Sequence, residues 1–226
     1  MTQEQTDETD ARFSVLDDMK ETVANVDCVI EAIVEIESVK RELFEQLSEL
    51  LPETTIIATN SSYMVSSVFA NSVKNPARLA NMHFYNPALV LKLVEVVQGP
   101  HTSNETAEAL MDFCCRTGKT PVLMTKELAG FAGSRISHVV AKEARWMVEN
   151  GYITPQDMDL VCENGLKYPM GPFRLNDLTG VDITYHKMEA EYEQSGAKPD
   201  MYDIYAKMVQ EGRLGRKTGH GFYDYD

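Results

Sequence analysis

No GxGxxG occurs anywhere in this 226-residue chain, so the glycine-rich loop that seats a pyrophosphate on a helix N-terminus is absent. Basic residues are scarce: 21 Lys and Arg stand against 35 Asp and Glu, a net charge of −14. That balance argues against nucleic acid and anionic membranes as partners. It leaves room for a local anion site made of backbone N–H groups and a few lysines. No apolar run is long enough to span a bilayer. The opening segment MTQEQTDETDAR is polar and acidic, unlike a signal or transit peptide. The four cysteines, Cys28, Cys114, Cys115 and Cys162, form no CxxC and no Cys/His cluster of zinc-like spacing. No metal is therefore expected, and the thiols read as small apolar residues of a cytoplasmic protein. His101, His138, His186 and His220 each stand alone and suit surface or packing roles. No internal repeat or low-complexity linker is present.

What remains is an ordinary globular composition, 43% hydrophobic and 25% charged, in a chain long enough for one large or two small domains. After a polar, frayed lead-in over 1–15, a short helix is expected from Asp17 to Asn25. The β-branched run from Asp27 to Val34 has strand length. A helix follows with Val39, Leu43, Leu47, Leu50 and Leu51 on one stripe, ended by Pro52. Further strands are expected over Thr55–Thr59, Arg78–Phe84, Leu91–Val97 and Thr120–Met124, with a helix from Thr102 to Thr117. Strands buried on both faces and alternating with helices signal an open α/β sheet, whose ligands sit beyond the carboxyl ends of the strands. Asn60-Ser61-Ser62 and the segment from His83 to Asn86 both fall at such ends.

Beyond Lys126 the strand pattern stops. A long helix is expected from Gly130 to Asn150, striped by Ile136, Val139, Val140, Ala144, Met147 and Val148 and closed by Gly151. Thr154-Pro155-Gln156-Asp157 and Gly171-Pro172-Phe173 are helix starts. Met201, Ile204, Tyr205, Met208 and Val209 stripe a last helix. The expected domains are residues 1–125, α/β, and residues 126–226, all helical.

His83 and Glu95 lie twelve positions apart, each within an apolar, strand-like run. Buried singly, either would be an unpaired polar group. Together, the carboxylate can fix the imidazole tautomer and raise its basicity, which suits a general base. Taken alone, Ser62 could be a turn residue, Lys217 a surface charge, and Glu35 with Lys40 a solvated i, i+5 pair.

The chain resembles the short-form L-3-hydroxyacyl-CoA dehydrogenases, the 3-hydroxybutyryl-CoA dehydrogenase group included, from Arg12 to its end. The resemblance is carried by Glu31-Ala32-Ile33-Val34-Glu35 with Lys40, Thr59-Asn60-Ser61-Ser62, His83-Phe84-Tyr85-Asn86-Pro87 and Leu93-Val94-Glu95-Val96. In the second half it rests on Gly130-Phe131 with Arg135, Tyr168-Pro169-Met170-Gly171-Pro172-Phe173, and Gly215-Arg216-Lys217-Thr218-Gly219 before Gly221-Phe222-Tyr223. It implies an incomplete Rossmann-like NAD-binding domain followed by an all-helical dimerisation domain. It also implies NAD-dependent oxidation of the 3-hydroxyl of an acyl-CoA by a homodimer. In that scheme His83 takes the hydroxyl proton and Glu95 orients it. Ser62 bonds substrate oxygen, and Asn86 holds the reacting groups. Glu35, Lys40, Asn86 and Lys217 contact the dinucleotide or its neighbourhood.

Two departures stand out. The segment from Glu8 to Val15 resembles the family just before its third strand, so roughly 70–90 residues of a β-α-β-α unit are expected to be missing. A truncated gene model, a short pseudo-enzyme and half of a split protein would each account for that. The loss would expose an apolar sheet edge and weaken NAD binding by the isolated chain. Second, Ser134 stands where the family usually has a substrate-binding asparagine; a serine is shorter and offers one donor instead of an amide pair. Two rivals to the acyl-CoA reading are a gulonate-type hydroxy-acid dehydrogenase and a non-catalytic dimerisation or acyl-CoA-binding remnant.

Overall fold

The computed structural model describes residues 2–225. The chain divides into two compact units, Met1–Phe131 and Ala132–Asp226, a division later than the one expected after residue 125.

The first unit begins with helix α1 (Gln3–Asp10), where a frayed lead-in was expected. Its hold is local: Thr2 caps the Gln5 N–H and the Gln5 side chain answers the Thr2 N–H, a reciprocal capping box with no residue of the helix buried. Helix α2 (Met19–Thr22) starts from Asp18, whose carboxylate accepts from the Glu21 N–H. Then follow β1 (Cys28–Glu31), α3 (Glu37–Leu50), β2 (Ile56–Thr59), β3 (Leu79–Phe84), β4 (Leu93–Val97), α4 (Asn104–Arg116) and β5 (Thr120–Met124). Ser103 caps α4 through the Thr106 N–H.

The sheet order is β1-β2-β3-β4-β5. β1, β2 and β3 run parallel, and so do β4 and β5, but β4 is antiparallel to β3. The reason lies in the connection: the short Tyr85–Lys92 segment cannot make the crossover a parallel neighbour requires. β3 and β4 are buried along nearly their whole length, as the apolar runs imply. The outer strands are not buried on both faces: Ile30 on β1 and Val122 and Leu123 on β5 are exposed.

One core joins Phe44 and Leu47 of α3 to Ile57, Phe69 and Leu79. Another joins Ala58, Ala80, Met82, Val94 and Val96 of the strands to Leu110 and Cys114 of α4. The buried face of α3 is Lys40, Phe44, Leu47 and Ser48, rotated from the expected stripe, and Val39 and Leu50 face solvent. Lys40 lies on that buried face, although a reading by hydrophobicity places it outside.

The second unit is helical: α5 (Ala132–Glu149), α6 (Pro155–Leu160), α7 (Pro172–Thr179), α8 (Val181–Ser195) and α9 (Tyr202–Gln210). Thr154 caps α6 through the Asp157 N–H, and α7 starts at Gly171-Pro172. Ala144, Phe173, Val181, Met188, Met201, Tyr205 and Met208 form its core. Two buried carboxylates fasten it. Asp159 accepts from the N–H groups of Phe173 and Arg174 at the start of α7 and from the Tyr223 hydroxyl. Asp177 accepts from the N–H groups of Phe222 and Tyr223 and from the Tyr225 hydroxyl, tying down the C-terminal strap. Ile136 and Val139 of the expected α5 stripe are exposed; the buried residues of that helix are Ala144 and Arg145.

Candidate active site

The antiparallel register sets His83 of β3 directly opposite Glu95 of β4. Residues opposite one another in such a pair project to the same face within side-chain reach. The His83 Nδ1 lies 3.0 Å from Glu95 Oε2. Both side chains are buried, at 7% and 2% exposure, so the contact is shielded from competing water. An ionised carboxylate can only accept, which puts the ring proton on Nδ1 and leaves the Nε2 lone pair as the base.

Two residues outside the expected set, Tyr85 and Phe131, contact this pair, and a third, Asn60, holds the strand beside it. The Tyr85 hydroxyl donates to the same Oε2 at 3.0 Å, and its ring lies 5.0 Å from the imidazole. The fully buried Phe131 ring lies 5.2 Å from the imidazole. Phe131 holds φ at +45°, a left-handed conformation that a bulky residue adopts only when its surroundings enforce it. Asn60 links the ends of β2 and β3, its Oδ1 accepting from the Phe84 N–H at 2.9 Å.

Because β1, β2 and β3 are parallel, their carboxyl ends share one side of the sheet with His83. There the structure builds a second polar cluster. The Lys40 Nζ lies 2.6 Å from Glu31 Oε1, 3.2 Å from Glu35 Oε2 and 3.4 Å from the Ile33 carbonyl oxygen. Glu31 also accepts from the Thr59 hydroxyl at 2.7 Å and from the Ile33 N–H at 2.7 Å. The Ser61 hydroxyl donates to Glu35 and accepts from the Met64 N–H. The solvated i, i+5 pair is thus corrected: the Lys40 side chain is 1% exposed. An ammonium has three N–H donors, and these three contacts account for all of them. Lys40 therefore holds the Glu31–Glu35 segment in shape. Burial pushes the Glu35 carboxyl up, but hydrogen bonds from Ser61 and Lys40 outweigh it and bring its pKa below the usual value.

Ser62 is exposed just past the end of β2, and Asn86 is exposed at the start of the turn after β3. Both lie at this end of the sheet. Ser134 and Lys217 belong to the other unit. Ser134 is exposed in the first turn of α5. Lys217 is no lone surface charge: its Nζ lies 2.6 Å from both carboxylate oxygens of Asp182, and that bond holds the Asp182 carboxyl below its usual pKa.

Of the residues not foreseen, Tyr85 had a signal in the sequence. It lies two positions after His83, so the period of a strand puts it on the same face. Glu31, a carboxylate in an apolar strand run, carried the same kind of signal as Glu95. Phe131 had none, since its contact depends on how the chain returns after β5.

The polar groups at the strand ends suit a nicotinamide nucleoside. The Glu35 carboxylate can accept from ribose hydroxyls, and Ser62 and Asn86 offer an exposed hydroxyl and amide. Among the described residues no group of three or more His, Cys, Asp or Glu could hold a metal ion, and no helix is long and apolar enough to cross a membrane.

Comparison with known proteins agrees with this arrangement. The model of the 3-hydroxyacyl-CoA dehydrogenase NAD binding domain matches residues 1–128, and that of the 3-hydroxyacyl-CoA dehydrogenase C-terminal domain matches residues 130–225. The mitochondrial hydroxyacyl-coenzyme A dehydrogenase of Homo sapiens is 40% identical over 92% of this chain and 67% of its own length. The 3-hydroxybutyryl-CoA dehydrogenase of Clostridioides difficile is 37% identical over 91% of this chain and 73% of its own. The crystal structure of 3-hydroxybutyryl-CoA dehydrogenase from Escherichia coli superposes with a TM-score of 0.87 at 35% identity, covering 100% of this chain and 48% of that one. With both halves matched and the His83–Glu95 pair in register, the chain belongs to the 3-hydroxyacyl-CoA dehydrogenase family.

Proposed function

We propose that this protein interconverts a 3-hydroxyacyl-CoA and its 3-oxoacyl-CoA, with His83 as general base and acid. The observation that carries this reading is the buried His83–Glu95 contact at the carboxyl end of β3. His83 Nε2 accepts the proton of the 3-hydroxyl during oxidation and returns it to the ketone oxygen during reduction. Glu95 holds the ring in the Nδ1–H tautomer and stabilises the imidazolium formed when Nε2 takes the proton. Ser62 donates to substrate oxygen, Asn86 steadies the reacting groups, and Ser134 bonds the substrate. Glu35, Asn86 and Lys217 bind the dinucleotide, with Lys40 holding Glu35 in place. NAD, when bound, supplies the acceptor for the hydride leaving the 3-carbon.

The relatives' names favour an acyl-CoA over a sugar acid as substrate. A homodimer through the helical unit is part of the proposal, supported by the exposed apolar side chains of Ile136, Val139 and Trp146 along α5. A cytoplasmic location fits the four free thiols.

The test is NADH oxidation, followed in parallel with acetoacetyl-CoA and with a 3-oxo sugar acid. Turnover of acetoacetyl-CoA alone supports the proposal. Turnover of the sugar acid alone refutes it, as does turnover of neither when NADH is raised to offset the weak dinucleotide binding expected without a glycine-rich loop.

A further inference from the structure

We propose that Tyr85 is a positioning residue for the catalytic dyad, acting on Glu95 through its hydroxyl. The proposal rests on the reading of His83 as the base and extends it to a third side chain.

Two donors converge on one oxygen. His83 Nδ1 and the Tyr85 hydroxyl each lie 3.0 Å from Glu95 Oε2. They come from one stretch of chain, two positions apart, where strand periodicity sends both side chains the same way. A carboxylate on a flexible glutamate stem can turn about its last bond, so the imidazole bond alone is a loose constraint. A second donor, carried on a rigid ring, adds a second constraint on the Oε2 position of that carboxylate. With Glu95 at 2% exposure, bulk water is poorly placed to take over that bond.

The Tyr85 ring and its hydroxyl do separate things. The ring packs on the imidazole at 5.0 Å, with the planes 52° apart. A phenylalanine would keep that contact. The hydroxyl reaches past the imidazole to the carboxylate, so its effect on His83 passes through Glu95. The consequence is a stronger preference for the Nδ1–H tautomer, which keeps the Nε2 lone pair available to the substrate hydroxyl.

The experiment compares the wild-type chain with Tyr85→Phe by nitrogen NMR of 15N-histidine-labelled protein, at a pH where the His83 ring is neutral. Steady-state reduction of acetoacetyl-CoA by NADH is measured beside it. The wild type should show His83 as one Nδ1–H tautomer. Tyr85→Phe should show a mixture, and kcat should fall about three- to tenfold, the weight of one hydrogen bond, with both KM values unchanged. Unchanged His83 nitrogen shifts, or an unchanged kcat, would overturn the proposal. His83→Gln separates this from failure of the base reading. If that variant keeps full turnover, the base reading falls whatever Tyr85→Phe does, and the tautomer spectrum still decides whether Tyr85 positions the ring.

Discussion

Glu95 faces His83 across the antiparallel β3–β4 pair, and its Oε2 lies 3.0 Å from the imidazole Nδ1. Replacing Glu95 by Gln keeps the shape but removes the charge that stabilises the imidazolium. The amide can also turn its NH2 group toward the ring and favour the wrong tautomer. Turnover should fall by about 10²–10⁴-fold with little change in KM, as when the orienting acid of a hydrolase triad is amidated. Steady-state kinetics with acetoacetyl-CoA checks this; a loss seen wholly in KM would speak against the orienting role.

Lys40 and Glu31 form a buried ion pair at 2.6 Å, with side-chain exposures of 1% and 0%. Removing one partner strands the other charge. Lys40→Met alone should lower the unfolding free energy by about 3–5 kcal/mol. The double variant Lys40→Met, Glu31→Leu should recover much of that loss, since a buried pair exchanged for apolar groups of similar volume is often near neutral. Urea titration of the single and double variants measures both effects. Equal loss in the two would mean that local packing, not the stranded charge, sets the cost.

Gly221 lies against the Asp177 carboxylate that clasps the C-terminal strap. A Cβ there would strike that carboxylate, which is 1% exposed. Gly221→Ala should destabilise the helical unit by about 1–3 kcal/mol. Limited proteolysis should then cut the strap faster than in the wild type. An unchanged cleavage rate would show that the strap shifts without loss.

His101 is half-buried, and its Nδ1 has no hydrogen-bond partner among the described residues. Burial lowers its pKa below 6.5, an effect only partly offset by Glu127 and the Leu79 backbone. Below pH 6.5 the unfolded chain therefore binds the proton more readily than the folded one. Stability present above 6.5 is lost as pH falls from there toward the lower folded value. His101→Gln should flatten the dependence of unfolding free energy on pH between 7 and 5. His138, whose pKa is also lowered by burial, is left in place as the internal comparison. The same slope in wild type and variant would clear His101 of this role.

Ser134 offers a single hydroxyl in the first turn of α5, where the resemblance to the family implies an asparagine amide. If it meets the substrate as proposed, Ser134→Asn should raise turnover with acetoacetyl-CoA. Unchanged turnover would remove Ser134 from the substrate site.

Much of the fold was legible because apolar runs of strand length are bounded by polar turns, and because helices such as α4 in the first unit and α6 in the second carry side-chain caps at their starts. The His83–Glu95 pair was legible for a simpler reason: each is a polar residue inside an apolar strand run, and each answers the other. The direction of β4 was not drawn from the pattern, although the short Tyr85–Lys92 connection carried it. Lys40 was misplaced because periodicity assigns lysine to the solvent face, and only the Glu31 carboxylate makes its burial tolerable. Of the α5 stripe, Ala144, Met147 and Val148 meet the core while Ile136 and Val139 are exposed; spacing marks an apolar face but not what covers it. Helix α1 was overlooked because its hold is a capping box, without an apolar stripe.

The central claim is that His83 moves the proton of the 3-hydroxyl. The most direct measurement is the rate of acetoacetyl-CoA reduction by NADH for His83→Gln against wild type, with circular dichroism confirming that both are folded. Loss of a positioned general acid–base group predicts a fall in kcat of about 10²–10⁴-fold. A folded His83→Gln protein that keeps wild-type turnover would contradict the account.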